Sequence, residues 1–265
     1  MKKEEKELIF NLLKNASALD NGFIDNRFST APLFVDDNSV QENTAETVSE
    51  SDSSNKISLP ASAETSPEKI SLQETNSGKT IDEIKTKILR CTRCQLARTR
   101  NNVVPGQGVE HPDVLVIGEG PGYDEDMQGL PFVGKAGMLL DKMLNAIQLD
   151  RKSNCYIANI VKCRPPENRD PLPEEQSACF SFLEAQIHIL KPKMILCMGR
   201  ISGNKMLNTE SPVSQLHGKF FDYNGIPLMV TYHPSALLRN EDLKRPAWED
   251  LKCFKAKLNQ ITGAN

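Results

Sequence analysis

Val114-Leu115-Val116-Ile117-Gly118-Glu119-Gly120-Pro121-Gly122 decides the fold. Apolar residues run into a turn of glycine and proline with one carboxylate inside it. So short and apolar a run fits a strand covered on both faces of a parallel sheet. Similar runs return at residues 156–161, 194–198 and 228–232. Helical patterns separate them over residues 81–97, 134–147, 173–190 and 201–207, and a last helix is expected over 246–261. Thr80 with Asp82 and Glu83 starts the first helix, and Pro173 with Glu174 and Glu175 opens the long one. Strands alternating with helices predict βαβ units, and crossover handedness puts helices on both faces of a mainly parallel sheet. In such α/β sheets ligands bind beyond the C-terminal ends of the strands.

Upstream of residue 80 this pattern stops. Residues 35–79 hold nine acidic residues, three lysines and no aromatic residue. Such a segment buries too little apolar surface to offset its ordering entropy, so a disordered acidic linker is expected. Residues 1–34 form a separate N-terminal segment whose stretch 4–15 reads as a short amphipathic helix, with Leu8, Ile9, Leu12 and Leu13 at helical spacing. The chain totals −3 while the linker alone is −6, so the part from residue 80 to 265 is mildly basic. That balance permits a nucleic-acid partner. No run of 18 apolar residues is present and the charged N-terminus is no secretory signal, so a cytoplasmic protein is expected. In a reducing compartment its seven cysteines are metal ligands or buried thiols rather than disulfides.

Three polar residues mark the strand ends. Glu119 stands in the first turn. A dinucleotide site would need glycine or alanine at the sixth position of that motif, where Tyr123 stands, and no P-loop lysine follows. Asn159 interrupts the second apolar run; its amide offers both a donor and an acceptor. His233 leaves the fourth strand ahead of Pro234 and Ser235. Each alone has a structural reading, as a turn, a backbone-bonded amide or a packed ring. Together they converge on one sheet edge.

Cys91-Thr92-Arg93-Cys94 is a C-x2-C pair, and Cys163 and Cys179 follow. This spacing turns two sulfurs to one point and leaves zinc, a [4Fe–4S] cluster and unpaired thiols all open. Cys155, Cys197 and Cys253 lie in apolar strands or a helix and read as small core residues.

In combination these motifs resemble the family 4 uracil-DNA glycosylases, the iron–sulfur branch of that superfamily, over about residues 80–260. The matching residues are Cys91-x2-Cys94, Gly118-Glu119-Gly120-Pro121-Gly122, Gly129-Leu130-Pro131-Phe132-Val133-Gly134, Asn159 to Pro166, Cys179 and His233-Pro234-Ser235. The resemblance implies a three-layer α/β/α sandwich with a four-stranded sheet. It also implies a [4Fe–4S] cluster on Cys91, Cys94, Cys163 and Cys179. Residues 80–265 are then a catalytic domain that hydrolyses the bond from deoxyuridine to uracil in single- and double-stranded DNA, as a monomer. Phe132 stacks on the flipped base, Asn159 reads its polar edge, and His233 faces the carbonyl that gathers charge. Gly120 and Glu119 bound the pocket and position water, and Glu125 crowds the place of thymine's methyl group. Ser235, Leu237, Leu238 and Arg239 belong to a loop that enters the DNA, with Leu237 or Leu238 as wedge. Arg164-Pro165-Pro166 directly follows the second strand, without the basic histidine loop of the cross-linking branch. Gln215-Leu216-His217-Gly218 departs from the Leu-Arg-Gly frequent in relatives and puts one backbone contact in question.

Two other readings remain: a non-catalytic iron–sulfur DNA-binding accessory, and an electron carrier. Neither needs Glu119, Asn159 and His233 together. The 4–15 helix is a candidate motif for a replication or repair protein.

Overall fold

The computed structural model of the protein describes residues 80–263. The helix expected over 4–15 and the acidic linker lie outside the described residues. One sheet carries six strands: β1 (Gln107–Gly108), β2 (Val114–Gly118), β3 (Cys155–Asn159), β4 (Met194–Met198), β5 (Phe220–Tyr223) and β6 (Ile226–Thr231). Their spatial order is β1-β3-β2-β4-β6-β5. The four expected strands are the inner, parallel ones. The sheet is nevertheless mixed and six-stranded, because an antiparallel strand closes each edge. β1 is two residues long and carries no readable period. β5 and β6 form a hairpin whose turn is Asn224-Gly225, with φ of +52° and +85°. That pair suits a two-residue turn with both φ positive, so the sequence does carry a signal for this edge.

Eight α-helices are described: α1 (Ile81–Leu89), α2 (Tyr123–Gln128), α3 (Lys135–Ala146), α4 (Pro173–Leu190), α5 (Arg200–Leu207), α6 (Val213–Leu216), α7 (Pro234–Arg239) and α8 (Lys244–Thr262). The first helix is shorter than the expected 81–97. Its buried stripe, Ile81, Ile84 and Ile88, runs out before Cys91, and only a 3-10 turn follows at Gln95–Arg98. Thr80 caps it as expected, its hydroxyl accepting the Glu83 N–H.

Every residue of β2, β3 and β4 is buried, as two-sided coverage requires. Side chains alternate between the faces. Leu115, Ile117, Tyr156, Ala158, Ile195 and Cys197 share one core with Ile84, Ile88, Phe182 and Leu183, which places α1 and α4 on that face. Val114, Val116 and Met194 take the other face, where α8 packs on β6 and α3 on α7. The result is the expected three-layer sandwich. β2 leads to β3 on one side, while β4 leads to β6 on the other. The crevice between the C-terminal ends of β2 and β4 is therefore the switch point at which such sheets bind ligands.

Candidate active site

Parallel register sets Gly118 opposite Asn159. Pairing continues past the strand ends: Ile160 N–H donates to the Gly118 carbonyl at 3.0 Å, and Val161 N–H to that of Glu119 at 3.1 Å. Glu119 and Asn159 are thus fixed side by side by backbone bonds alone. A cavity of about 510 Å³ opens over them and is lined also by Gly120, Glu125, Phe132, Arg200, His233, Ser235 and Arg239. The three polar residues read from the strand ends meet in it, at the switch point.

Phe132 reaches the cavity by an unusual backbone. Its φ is +53°, a left-handed conformation that costs a bulky residue strain. The ring lies directly on Gly118: a Cβ built there would stand 2.6 Å from Phe132 Cζ and 2.4 Å from Asn159 Oδ1. Only glycine leaves room for both. The ring centroid is 5.6 Å from that of His233. Asn159 is 2% exposed, and its Oδ1 is buried without a hydrogen-bond partner. Such an orphan acceptor costs about 1–3 kcal/mol in the folded protein, and it belongs to a residue that lines the cavity. The Asn159 carbonyl accepts from the buried Lys162 Nζ at 2.8 Å, and that Nζ also donates to Gln186 Oε1 at 2.8 Å.

His233 is held from one side. The backbone N–H of Ser235 donates to its Nδ1 at 3.2 Å, and the Ser235 hydroxyl lies 2.8 Å from the same nitrogen. Nδ1 therefore carries a lone pair, and in the neutral ring the proton sits on Nε2. Burial pushes the imidazole down to about 4, with Arg239 acting the same way. The ring is neutral at ordinary pH and presents an N–H donor. The hydroxyl of Ser235, a residue expected at the DNA, helps to orient this histidine. For Glu119, burial pushes the carboxyl up to about 7; Asp170 adds to the rise and Arg200 opposes it.

Glu125 is held by three backbone N–H groups. Its Oε2 accepts from Gly122 N–H at 3.0 Å, and its Oε1 from Val133 N–H at 2.8 Å and Gly134 N–H at 3.0 Å. It lines the cavity, and its carboxylate is committed to tying the glycine-rich turn to the loop that carries Phe132. Of the two leucines expected as wedge, Leu237 is 3% exposed and packs inward, whereas Leu238 is 45% exposed. Only Leu238 is presented to a partner. Arg239, the last residue of α7, is exposed at the cavity edge.

Sequence reading missed Asp170 and Arg200, an ion pair at the cavity mouth whose charges both act on Glu119. Arg200 was within reach: it follows β4 at the same sheet edge as the residues that were found. Asp170 sits in the loop after β3, and no pattern marks it.

The cysteines differ in burial and in their neighbours. Among the described residues all seven are free thiols. Cys163 and Cys179 are buried, and Cys91 and Cys94 pack beside them against the same core. The thiols feel one another: Cys91 and Cys94 act on Cys163, and Cys163 and Cys91 act on Cys179. Arg100 donates to Cys163 Sγ at 3.1 Å and to the Cys91 carbonyl at 2.8 Å, which places a cation against the group. No three Cys, His, Asp or Glu side chains among the described residues close on one point, as a single ion needs. Cys91, Cys94, Cys163 and Cys179, with the Arg100 cation beside them, are the side chains here that could hold a metal group. Cys155 and Cys197 are buried as expected, but Cys253 is exposed, a correction. It falls off the inward stripe of α8, which is Ala247, Leu251, Phe254 and Leu258.

Comparison with known proteins agrees with this geometry. The model of the uracil DNA glycosylase superfamily matches residues 105–252, more than half of the chain. The type-4 uracil-DNA glycosylase of Archaeoglobus fulgidus is 37% identical over 193 residues, covering 70% of this chain and 94% of that protein. That of Thermotoga maritima is 42% identical over 65% of this chain and 92% of its own length. That of Sulfurisphaera tokodaii is 39% identical over 65% and 82%.

Proposed function

The chain belongs to the uracil DNA glycosylase superfamily, in its type-4 branch, and we propose that it hydrolyses the N-glycosidic bond of deoxyuridine in DNA with the side chains gathered at the ends of β2, β3 and β6. The observation that carries this reading is the orphan Asn159 Oδ1, buried beside a ring fit for stacking and near a neutral histidine donor. Uracil offers an N–H between two carbonyls. Its N3–H donates to Asn159 Oδ1, and its O4 accepts from the amide nitrogen. Cytosine reverses both and leaves the acceptor unpaired.

The base must leave the stack, at a cost of a few kcal/mol. Phe132 takes one face of the flipped base. Bond cleavage then puts negative charge on uracil and positive charge on the sugar. His233 Nε2–H donates to the carbonyl that gathers the negative charge, and being neutral it spends no charge on the ground state. Glu119, when ionised, faces the cation-like sugar and holds the attacking water. Leu238 fills the gap left in the duplex, and Arg239 meets phosphate.

Cys91, Cys94, Cys163 and Cys179 would hold a [4Fe–4S] cluster, which supplies a structural tie. Its ligands come from the loop after α1, the segment after β3, and α4. Their packing together beside Arg100 supports this.

The deciding experiment is uracil release from single- and double-stranded oligonucleotides. Binding without release would return the chain to the accessory reading. Glu119 also predicts a pH profile. With its carboxyl near 7, the ionised fraction rises as pH rises. Below that value uracil release should fall by about tenfold per pH unit, and above it should level off. Glu119→Gln should flatten this limb onto a low plateau; a limb that survives the substitution belongs to another group.

We read the protein as a cytoplasmic monomer; no described helix is long and apolar enough to cross a membrane. The 4–15 segment is proposed as a docking motif for a replication or repair protein. Deleting residues 1–79 should leave release on short oligonucleotides within about threefold of the full chain, since a docking motif outside the catalytic domain touches no chemistry. A larger loss would place that segment in the catalytic domain.

A further inference from the structure

We propose that Arg151 is a positioning residue for base recognition, clamping the loop that holds the Phe132 ring against the flipped base. The inference rests on the reading of the cavity as a uracil site.

Arg151 lies in the turn between α3 and β3, and its side chain is 11% exposed. A guanidinium has five N–H donors in one plane. Here all five are used. Nε and Nη2 donate to Asp141 Oδ1 at 3.0 and 2.7 Å. The second Nη2 hydrogen goes to the Phe132 carbonyl at 3.0 Å. Nη1 donates to the Pro131 carbonyl at 2.8 Å and to Gln107 Oε1 at 3.1 Å. Arg151 thus grips two consecutive carbonyls at the residue whose φ is +53°.

The rest of the loop is fixed around this grip. Gly137 lies against the Phe132 carbonyl so closely that a Cβ there would come within 2.0 Å of the oxygen. Glu125 holds the next two N–H groups, those of Val133 and Gly134. A left-handed phenylalanine relaxes to negative φ unless its surroundings over-determine it. Relaxation would swing the ring off Gly118. The four acceptors around Arg151 supply the constraint, and a lysine, a point charge with three donors, cannot meet them.

A merely structural arginine would act on the whole fold, whereas this one acts through one ring, and a double-mutant cycle separates the two. Arg151→Lys should lower uracil release by about tenfold in the full chain, the size expected for a displaced binding group. In a Phe132→Leu background the same change should cost less than about twofold. Equal losses in both backgrounds overturn the proposal. A second readout needs no turnover. The His233 ring, 5.6 Å from that of Phe132, senses its ring current. The imidazole proton resonances should move in Arg151→Lys in the direction they move in Phe132→Leu; resonances that stay put overturn the clamp. Should Arg151→Lys fail to fold, Asp141→Asn, which loosens the arginine at a half-exposed site, passes through both arms with the same criteria. A wild-type chain that releases no uracil refutes the functional reading alone, and the resonances still decide the clamp.

Discussion

Asn159→Ala is expected to lower uracil release by about 10²–10³-fold, the range for removing a buried group that meets the reacting base, while thermal stability stays level or rises. The second half of that expectation sets it apart from damage to the fold. Oδ1 is buried with no partner. The free protein therefore carries an unmet acceptor worth about 1–3 kcal/mol. Alanine removes that penalty and loses some packing, so the two terms nearly cancel. On the proposed reading uracil meets the acceptor, and once it is gone nothing distinguishes uracil's N3–H edge from cytosine's. Residual release by Asn159→Ala should accordingly show a smaller preference for uracil over cytosine. Unaltered release by this variant would take the amide out of base reading.

Cys179→Ala is expected to lose all iron and the broad absorbance near about 400 nm that thiolate–iron chemistry gives. Binding free energy of a structural metal group is folding free energy. A loss of several kcal/mol in a domain of this size corresponds to a fall in Tm of about 10 °C or more. Cys179 is buried on α4, close enough to act on Cys163, to whose sulfur Arg100 donates. Cys197→Ala is the control: it too is buried, yet it sits in β4, outside the segments that carry that set, and should keep both colour and iron. Zinc instead of iron in anaerobically purified protein would overturn the cluster.

Period and position made much of the molecule legible in its sequence. β2, β3, β4 and β6 are runs of apolar residues, and Glu119, Asn159 and His233 each stand where such a run ends. Their meeting needs only parallel register, which adjacency and handedness supply. The features that stayed hidden depend on three-dimensional approach. Arg151 joins Gln107, Pro131, Phe132 and Asp141, residues with no shared period. Asp170 reaches Arg200 across a loop without regular structure. The orphan state of Asn159 Oδ1 is a property of its neighbours and cannot be read from an asparagine in a strand. Two further features are legible in the sequence: Asn224-Gly225 suits a two-residue hairpin turn, and the inward stripe of α8 passes beside Cys253.

Gly118 has a consequence for how this pocket can change over generations. A single methyl group there would meet the Asn159 amide at 2.4 Å and the Phe132 ring at 2.6 and 2.7 Å. The residue proposed to read the edge of the base and the residue proposed to cover its face lean on the same vacant spot. No single substitution at the floor can retune one without displacing the other, so the floor is an all-or-nothing element. Drift toward other damaged bases is channelled to the rim, where Val213 and Ala236 line the cavity.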